Sequence, residues 1–246
     1  ALIRVAKLAR DLQQADAMGI RDANGRIDFA AVMARVQRVI RDIEPHDSVE
    51  RYTALGVDVV QARARITSPW SVELTRADGT VQTLTTRSIV IATGARPFVP
   101  PIPGLQQAGF LTSDTLWGLA ELPRRLLVLG GGPIGCELAQ CFARLGSEVT
   151  QVEMAPHVLG REDEDASAVV AQALRDDGIE LLTGHEAVRV ETIDGEHRLI
   201  VRQGQVERAV AFDRLLCAVG RSPRVAGYGL EELGIPLSTV KTIETN

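Results

Sequence analysis

The chain has 246 residues, 45% of them hydrophobic, and a formal net charge of −5, enough apolar material for one large or two ordinary cores. No basic cluster opposes the acidic balance, which argues against a nucleic-acid partner, and no apolar run approaches the roughly 18 residues of a membrane span. Three cysteines, Cys136, Cys141 and Cys217, are too sparse for a disulfide framework and, with no signal-peptide pattern at the head of the chain, point to a reducing, cytoplasmic setting.

Residues 1–18 carry apolar side chains at Leu2, Ile3, Val5, Ala6, Leu8, Ala9 and Leu12, a helical period interrupted by basic residues. Gly19 and the turn from Asp22 to Gly25 close it. Residues 28–43 repeat the period with Phe29, Val32, Met33, Val36 and Ile40, and Pro45 is expected to stop that helix. Asp47, with Glu50 three residues on, fits a capping box for a shorter helix ending at Leu55. The period then becomes strand-like at 57–66, 70–74, 81–84 and 88–91, with Ala-Asp-Gly-Thr at 77–80 as a hairpin turn, predicting a small antiparallel meander. Beyond it, four prolines at 97, 100, 101 and 103 can feed neither a helix nor an inner strand, so 92–104 reads as a linker. A connecting helix is expected at 111–119, capped by Ser113 or Asp114.

The next stretch, residues 126–153, reads LLVLGGGPIGCELAQCFARLGSEVTQVE. An apolar strand runs into Gly130-x-Gly132-x-x-Gly135, a helix follows, and a second strand ends on Glu153, 23 residues after the first glycine. Gly130 permits the tight turn, Gly132 lets bare backbone approach a pyrophosphate, and Gly135 lets the helix pack closely on the sheet. The phosphates would sit at the helix N-terminus, where unpaired N–H groups and the macrodipole favour negative charge. Glu153 would accept hydrogen bonds from both ribose hydroxyls and would repel a 2′-phosphate, which favours NAD over NADP. After Glu153, the run Gly160-Arg-Glu-Asp-Glu-Asp165, acidic from 162 to 165, opens a helix to Asp177, where its charges complement the dipole and suit a solvated helix start better than a metal site. A parallel strand at 179–182, a hairpin of 187–192 with 198–202 around Asp194 and Gly195, and an apolar strand at 212–219 complete the pattern.

Three segments in register resemble the FAD-dependent pyridine nucleotide-disulfide oxidoreductases of the dihydrolipoamide dehydrogenase, glutathione reductase and mercuric reductase type. IVIATGARP at 89–97 is similar to that family's internal FAD-domain motif, 130–153 to its NAD motif, and CAVGRSPRV at 217–225 to the segment returning to the FAD domain. The resemblance implies an α/β fold, a Rossmann-like NAD(P)-binding domain (113–225) with a parallel sheet plus an antiparallel meander, joined to an incomplete FAD-binding domain (1–112 and 226–246). It implies that Thr93 and Gly94 approach the flavin nucleotide and that Ala64 lies near the adenine. Gly130, Gly132, Gly135 and Glu153 would hold NADH, Gly220 and Arg221 would line the junction between the two nucleotides, and Glu137 would stand near the nicotinamide as the catalytic acid that pairs with a flavin-side lysine. The implied activity is hydride transfer from NADH to FAD and onward to a disulfide-type acceptor.

The family begins with its own FAD-binding glycine motif and a redox-active cysteine pair, and ends with a dimerisation domain. The chain, opening at Ala1 in what reads as a helix, is therefore expected to be a piece of a longer homodimeric parent and, alone, to bind flavin poorly or not at all. Cys136 and Cys141 share the spacing of the family's redox pair but lie on the predicted helix. Five residues there put the Cα atoms about 8.7 Å apart, beyond the roughly 7 Å a disulfide spans, so both are expected to be free thiols. The four histidines share no metal-ligand spacing. Two other readings compete: a non-catalytic dinucleotide-binding module, sensory or structural, and an NADH-oxidase-like or monooxygenase-like flavoenzyme with a different upstream segment.

Overall fold

The apolar period at the head of the chain forms α1 (Leu2–Gln13), shorter than predicted because a 3₁₀ turn takes over at Ala15–Met18. In α1 the residues Leu2, Ala6 and Ala9 are buried, and in α2 (Phe29–Ile43) Phe29, Met33 and Val36, the one-faced stripe that a 3.6-residue repeat produces. The computed structural model describes residues 1–23, 25–239 and 241–245; Asn24 of the expected turn lies outside them. Residues 1–42 and 97–220 form one compact unit, and residues 43–96 and 221–246 a second.

In the second unit Pro45 opens a 3₁₀ turn, Glu44–Asp47, where its missing N–H costs nothing. The helix that follows, α3 (Val49–Ala54), is capped by Ser48, whose Oγ accepts from the Arg51 N–H at 3.2 Å. The expected cap, Asp47, is thus displaced by one residue: Asp47 is used in the 3₁₀ turn, and Ser48 has the extended backbone a cap requires. β1 (Arg63–Ser68), β2 (Ser71–Thr75) and β3 (Val81–Thr85) make the antiparallel meander, in order β1-β2-β3. Its turn is fixed by Asp78, which accepts from the Thr80 N–H at 2.9 Å. The strand expected at 88–91 does not form. No described strand pairs with it, and Val90 is 88% exposed; an apolar, β-branched run becomes a strand only when a neighbour completes its backbone hydrogen bonds. β4 (Ala95–Pro97) follows.

Just past the proline-rich stretch the first unit carries an unanticipated short helix, α4 (Leu105–Ala108), with Leu105 fully buried. The helix expected at 111–119 shrinks to a 3₁₀ turn, Leu116–Gly118. Its first residue is engaged elsewhere, because Leu111 donates to the Leu215 carbonyl at 2.7 Å and accepts from the Cys217 N–H at 2.8 Å. A residue whose backbone is committed to a sheet cannot also start a helix.

β5 (Arg125–Leu129), α5 (Pro133–Leu145), β6 (Glu148–Glu153), α6 (Glu164–Asp176) and β7 (Glu180–Thr183) alternate as the periodicity indicates. β8 (Glu186–Ile193), β9 (Glu196–Gln203) and β10 (Val206–Phe212) form a second antiparallel meander, one strand more than the predicted hairpin. The single strand expected at 212–219 is divided: Phe212 ends β10, and β11 (Arg214–Cys217) joins the parallel sheet, in order β11-β5-β6-β7. Asp213 makes the division, since its carboxylate takes the Arg125 N–H at 2.8 Å and the Arg125 guanidinium at 2.7 Å, tying the starts of β5 and β11 together. β12 (Arg221–Pro223) pairs with β4.

Successive residues of β5 feed opposite cores. Leu126 and Val128 pack with Leu138, Ala139 and Phe142 of α5 and with α1 and α2, whereas Leu127 and Leu129 pack with Val152, Leu199, Val201 and Phe212 on the meander side. A strand covered on both faces reads as a continuous apolar run for this reason. Asp177, whose side chain is 2% exposed, ends α6 by accepting from Arg10 at 3.0 Å, Arg144 at 2.8 Å and Gln140 at 2.8 Å, which fastens α1, α5 and α6 at one point. No helix among the described residues is long and apolar enough to cross a membrane.

Candidate dinucleotide site

At the carboxyl end of β5 the chain turns at Gly130, φ +111°, where a Cβ would stand 2.5 Å from the Ala218 carbonyl oxygen. At Gly135, on the first turn of α5, a Cβ would meet the Gly130 carbonyl at 2.2 Å. Both glycines are therefore dictated by close backbone approach. Gly132 differs: at φ −75° and ψ 178° its backbone suits any residue, and a Cβ there meets nothing within 4 Å. It caps α5 without a side chain, and Pro133 takes the first helical position. Open backbone at the positive end of a 13-residue helix offers N–H groups to an anion.

Glu153, half-buried at the end of β6, turns toward this loop. Its Oε2 accepts from the Gly131 N–H at 2.5 Å and its Oε1 from the Ala155 N–H at 2.7 Å. Each oxygen keeps a further lone pair for a hydroxyl donor. Gly131 is also tight, because a Cβ would lie 2.9 Å from the Glu153 side chain. The Gly131 carbonyl in turn accepts from the Leu159 N–H at 2.8 Å and from the Cys136 thiol at 3.4 Å. Leu159 holds φ +52°, and the segment after β6 is pinned by the Ser167 hydroxyl donating to the Val158 carbonyl at 2.6 Å. Motif spacing identifies neither Gly131 nor Gln151. The latter, wholly buried on β6, donates from Nε2 to the Gly130 carbonyl at 3.0 Å and lies 3.6 Å from the Cys136 sulfur; its one sequence signal is an amide between the apolar positions Val149 and Val152.

Glu137 is exposed on α5 and makes no ion pair among the described residues. The three cysteines are free and buried, as expected for Cys136 and Cys141. Burial pushes all three thiols up, Cys141 to about 11, so none resembles the exposed, acidified thiol of a redox centre.

The remaining predicted residues fall into separate places. In the second unit the Thr93 hydroxyl donates to the Arg224 carbonyl at 2.6 Å, the Gly94 carbonyl accepts from the Arg224 N–H at 2.9 Å, and Arg221 donates to the Ala95 carbonyl at 2.7 Å. Thr93, Gly94 and Arg221 are thus gathered about the β4–β12 pair. Tyr228, which sequence reasoning passed over, lies 3.4 Å from the Thr93 hydroxyl. Ala64 is apart from them, exposed on β1 opposite Leu74. Gly220, in the first unit, has φ +133° and accepts from the Phe98 N–H at 2.9 Å.

The family model described as pyridine nucleotide-disulphide oxidoreductase matches residues 14–246. The chain is 30% identical over 234 residues to a mercuric reductase of Lysinibacillus sphaericus, covering 95% of this chain and 42% of that protein. It is 31% identical over 255 residues to the dihydrolipoyl dehydrogenase of Thermus scotoductus, covering 100% and 52%. Among solved structures it resembles the HOCl-induced flavoprotein disulfide reductase RclA of Escherichia coli, with a TM-score of 0.78 at 29% identity, covering all of this chain and 52% of that one. The chain spans about half the length of the curated relatives it matches.

Proposed function

Starting from the chain's membership of the pyridine nucleotide-disulphide oxidoreductase family, we propose that it carries the NADH-binding part of an enzyme that passes a hydride from NADH to FAD, and electrons onward to a disulfide-type acceptor. Residues 113–225 hold the dinucleotide, and residues 1–112 with 226–246 contribute to FAD binding. The observation that carries this reading is Gly132: of the three motif glycines, it alone has a Cβ direction opening into free space, at a helix N-terminus beside a carboxylate. Gly130 and Gly135 shape the loop, Gly132 admits the pyrophosphate, and Glu153 takes the ribose hydroxyls, which favours NADH over NADPH. Glu137 serves the nicotinamide end, and Thr93, Gly94, Ala64, Gly220 and Arg221 serve the flavin side. The nicotinamide and flavin supply the redox chemistry when bound, and the chain's own residues bind and orient them.

Calorimetric titration of the 246-residue chain with NADH and NADPH tests the assignment. NADH is expected to bind at least about tenfold more tightly, the factor that about 1.4 kcal/mol provides. Equal affinity would remove the role given to Glu153, and binding of neither nucleotide would remove the reading of the site.

A further inference from the structure

The strand beneath the glycine loop carries an anomaly. Gln151 is 0% exposed on β6, on the face where Val149 packs under α5, a place suited to an aliphatic side chain. Its Oε1 has no hydrogen-bond partner among the described residues, an arrangement that costs stability rather than adding to it. Its Nε2 is fully used, toward the Gly130 carbonyl at 3.0 Å and the Cys136 sulfur at 3.6 Å. The Cys136 thiol donates to the next carbonyl, that of Gly131, at 3.4 Å. Gly135 leaves room for the amide, since a Cβ there would stand 3.2 Å from Nε2.

We infer that Gln151 is a positioning residue for dinucleotide binding, holding the 130–131 peptide of the loop in the orientation the site needs. A trans peptide is planar, with its C=O and N–H pointing in opposite directions. With the Gly130 carbonyl drawn inward to Gln151, the N–H of Gly131 is directed to Glu153, where it is found at 2.5 Å. With the Gly131 carbonyl drawn inward to Cys136 and Leu159, the N–H of Gly132 is directed to the opposite side. Two carbonyls anchored below thus aim two amides above, one at the carboxylate that reads the ribose and one at the open mouth of α5. An aliphatic residue at 151 would fill the space and leave the 130–131 peptide held only through its N–H to Glu153.

The inference rests on the dinucleotide reading of this site, and the experiment separates the two. In Gln151→Met the side-chain volume is kept, while both donors and the unpaired oxygen are lost. The thermal midpoint should stay within about 4 °C of the wild type, while the Kd for NADH rises about tenfold. In the ligand-free protein, exchange of the Gly131 amide should quicken about tenfold against that of Leu127 in β5. Val149→Ala, a core truncation on the same strand face, should lower the midpoint and leave the NADH Kd unchanged. A wild-type Kd in Gln151→Met, an unchanged Gly131 exchange rate, or a Kd that rises equally in Val149→Ala would overturn the inference. If the wild type binds neither NADH nor NADPH, the dinucleotide reading fails, while faster Gly131 exchange in Gln151→Met would still uphold the hold of Gln151 on the loop.

Discussion

Gly132→Ala separates binding from folding at the centre of the site. The added methyl meets nothing within 4 Å, and φ −75° with ψ 178° is open to alanine, so the folded chain should lose no more than about 1 kcal/mol, the scale of an altered N-cap. The methyl nevertheless stands where a phosphate oxygen would approach the helix N-terminus. Loss of one charge-assisted hydrogen bond, worth about 1.5–3 kcal/mol, corresponds to a Kd about ten- to hundredfold weaker. Gly135→Ala is the counterpart. Its Cβ would lie 2.2 Å from the Gly130 carbonyl, a backbone atom with little freedom to yield. Overpacking of this kind costs about 1–3 kcal/mol or more, set against about 1 kcal/mol of helix propensity gained over glycine. A net loss near 2 kcal/mol would lower the midpoint by roughly 4–8 °C, with binding weakened through the displaced loop. Calorimetric scans and NADH titrations of both variants give the comparison. Wild-type NADH affinity in Gly132→Ala would refute the placement of the phosphates.

Other substitutions probe separate links. Glu153→Ala should weaken NADH at least about tenfold, since it removes the acceptor of both ribose hydroxyls and each charge-assisted hydrogen bond is worth about 1.5–3 kcal/mol, and leave NADPH equal or tighter; an unchanged NADH-to-NADPH ratio in competition titrations would contradict the role of the acid. Asp177→Ala leaves Arg10 and Arg144 without their shared carboxylate, which is 2% exposed. Both arginines reach solvent in part, so the loss should be about 2 kcal/mol rather than the 3–5 kcal/mol of a fully buried pair, visible as a fall of roughly 4–8 °C in the midpoint with NADH affinity intact. Cys141 contributes a pH dependence: burial raises its thiol from an ordinary 9.0 to about 11. The native state therefore holds a proton that the unfolded chain releases, so this contribution is complete below pH 9 and is lost as pH rises toward 11. Urea midpoints at pH 8 and pH 10.5 should differ more in the wild type than in Cys141→Ala, and an equal difference would exclude the thiol as the source.

What could be read before folding was local. The β5–α5–β6 succession was legible because its period, its three glycines and the acid at its end are neighbours in sequence, and the buried stripes of α1 and α2 followed for the same reason. Where tertiary partners decided the outcome, local signals failed. Residues 88–91 have strand composition without a strand beside them, and residues 111–119 have helix composition while Leu111 gives its backbone to Leu215 and Cys217. In the site, Gly130, Gly132, Gly135 and Glu153 stand out by spacing. Gly131 and Gln151 do not, because one is a glycine only on account of the Glu153 side chain folded over it, and the other is an amide whose purpose is a carbonyl 21 residues away. Sequence alone determined which segments repeat at helical or strand period and where glycine interrupts them, since each depends on a few adjacent residues. Only the tertiary structure decided which backbone groups found partners across the chain, because a buried N–H or C=O must be satisfied by whatever element stands next to it.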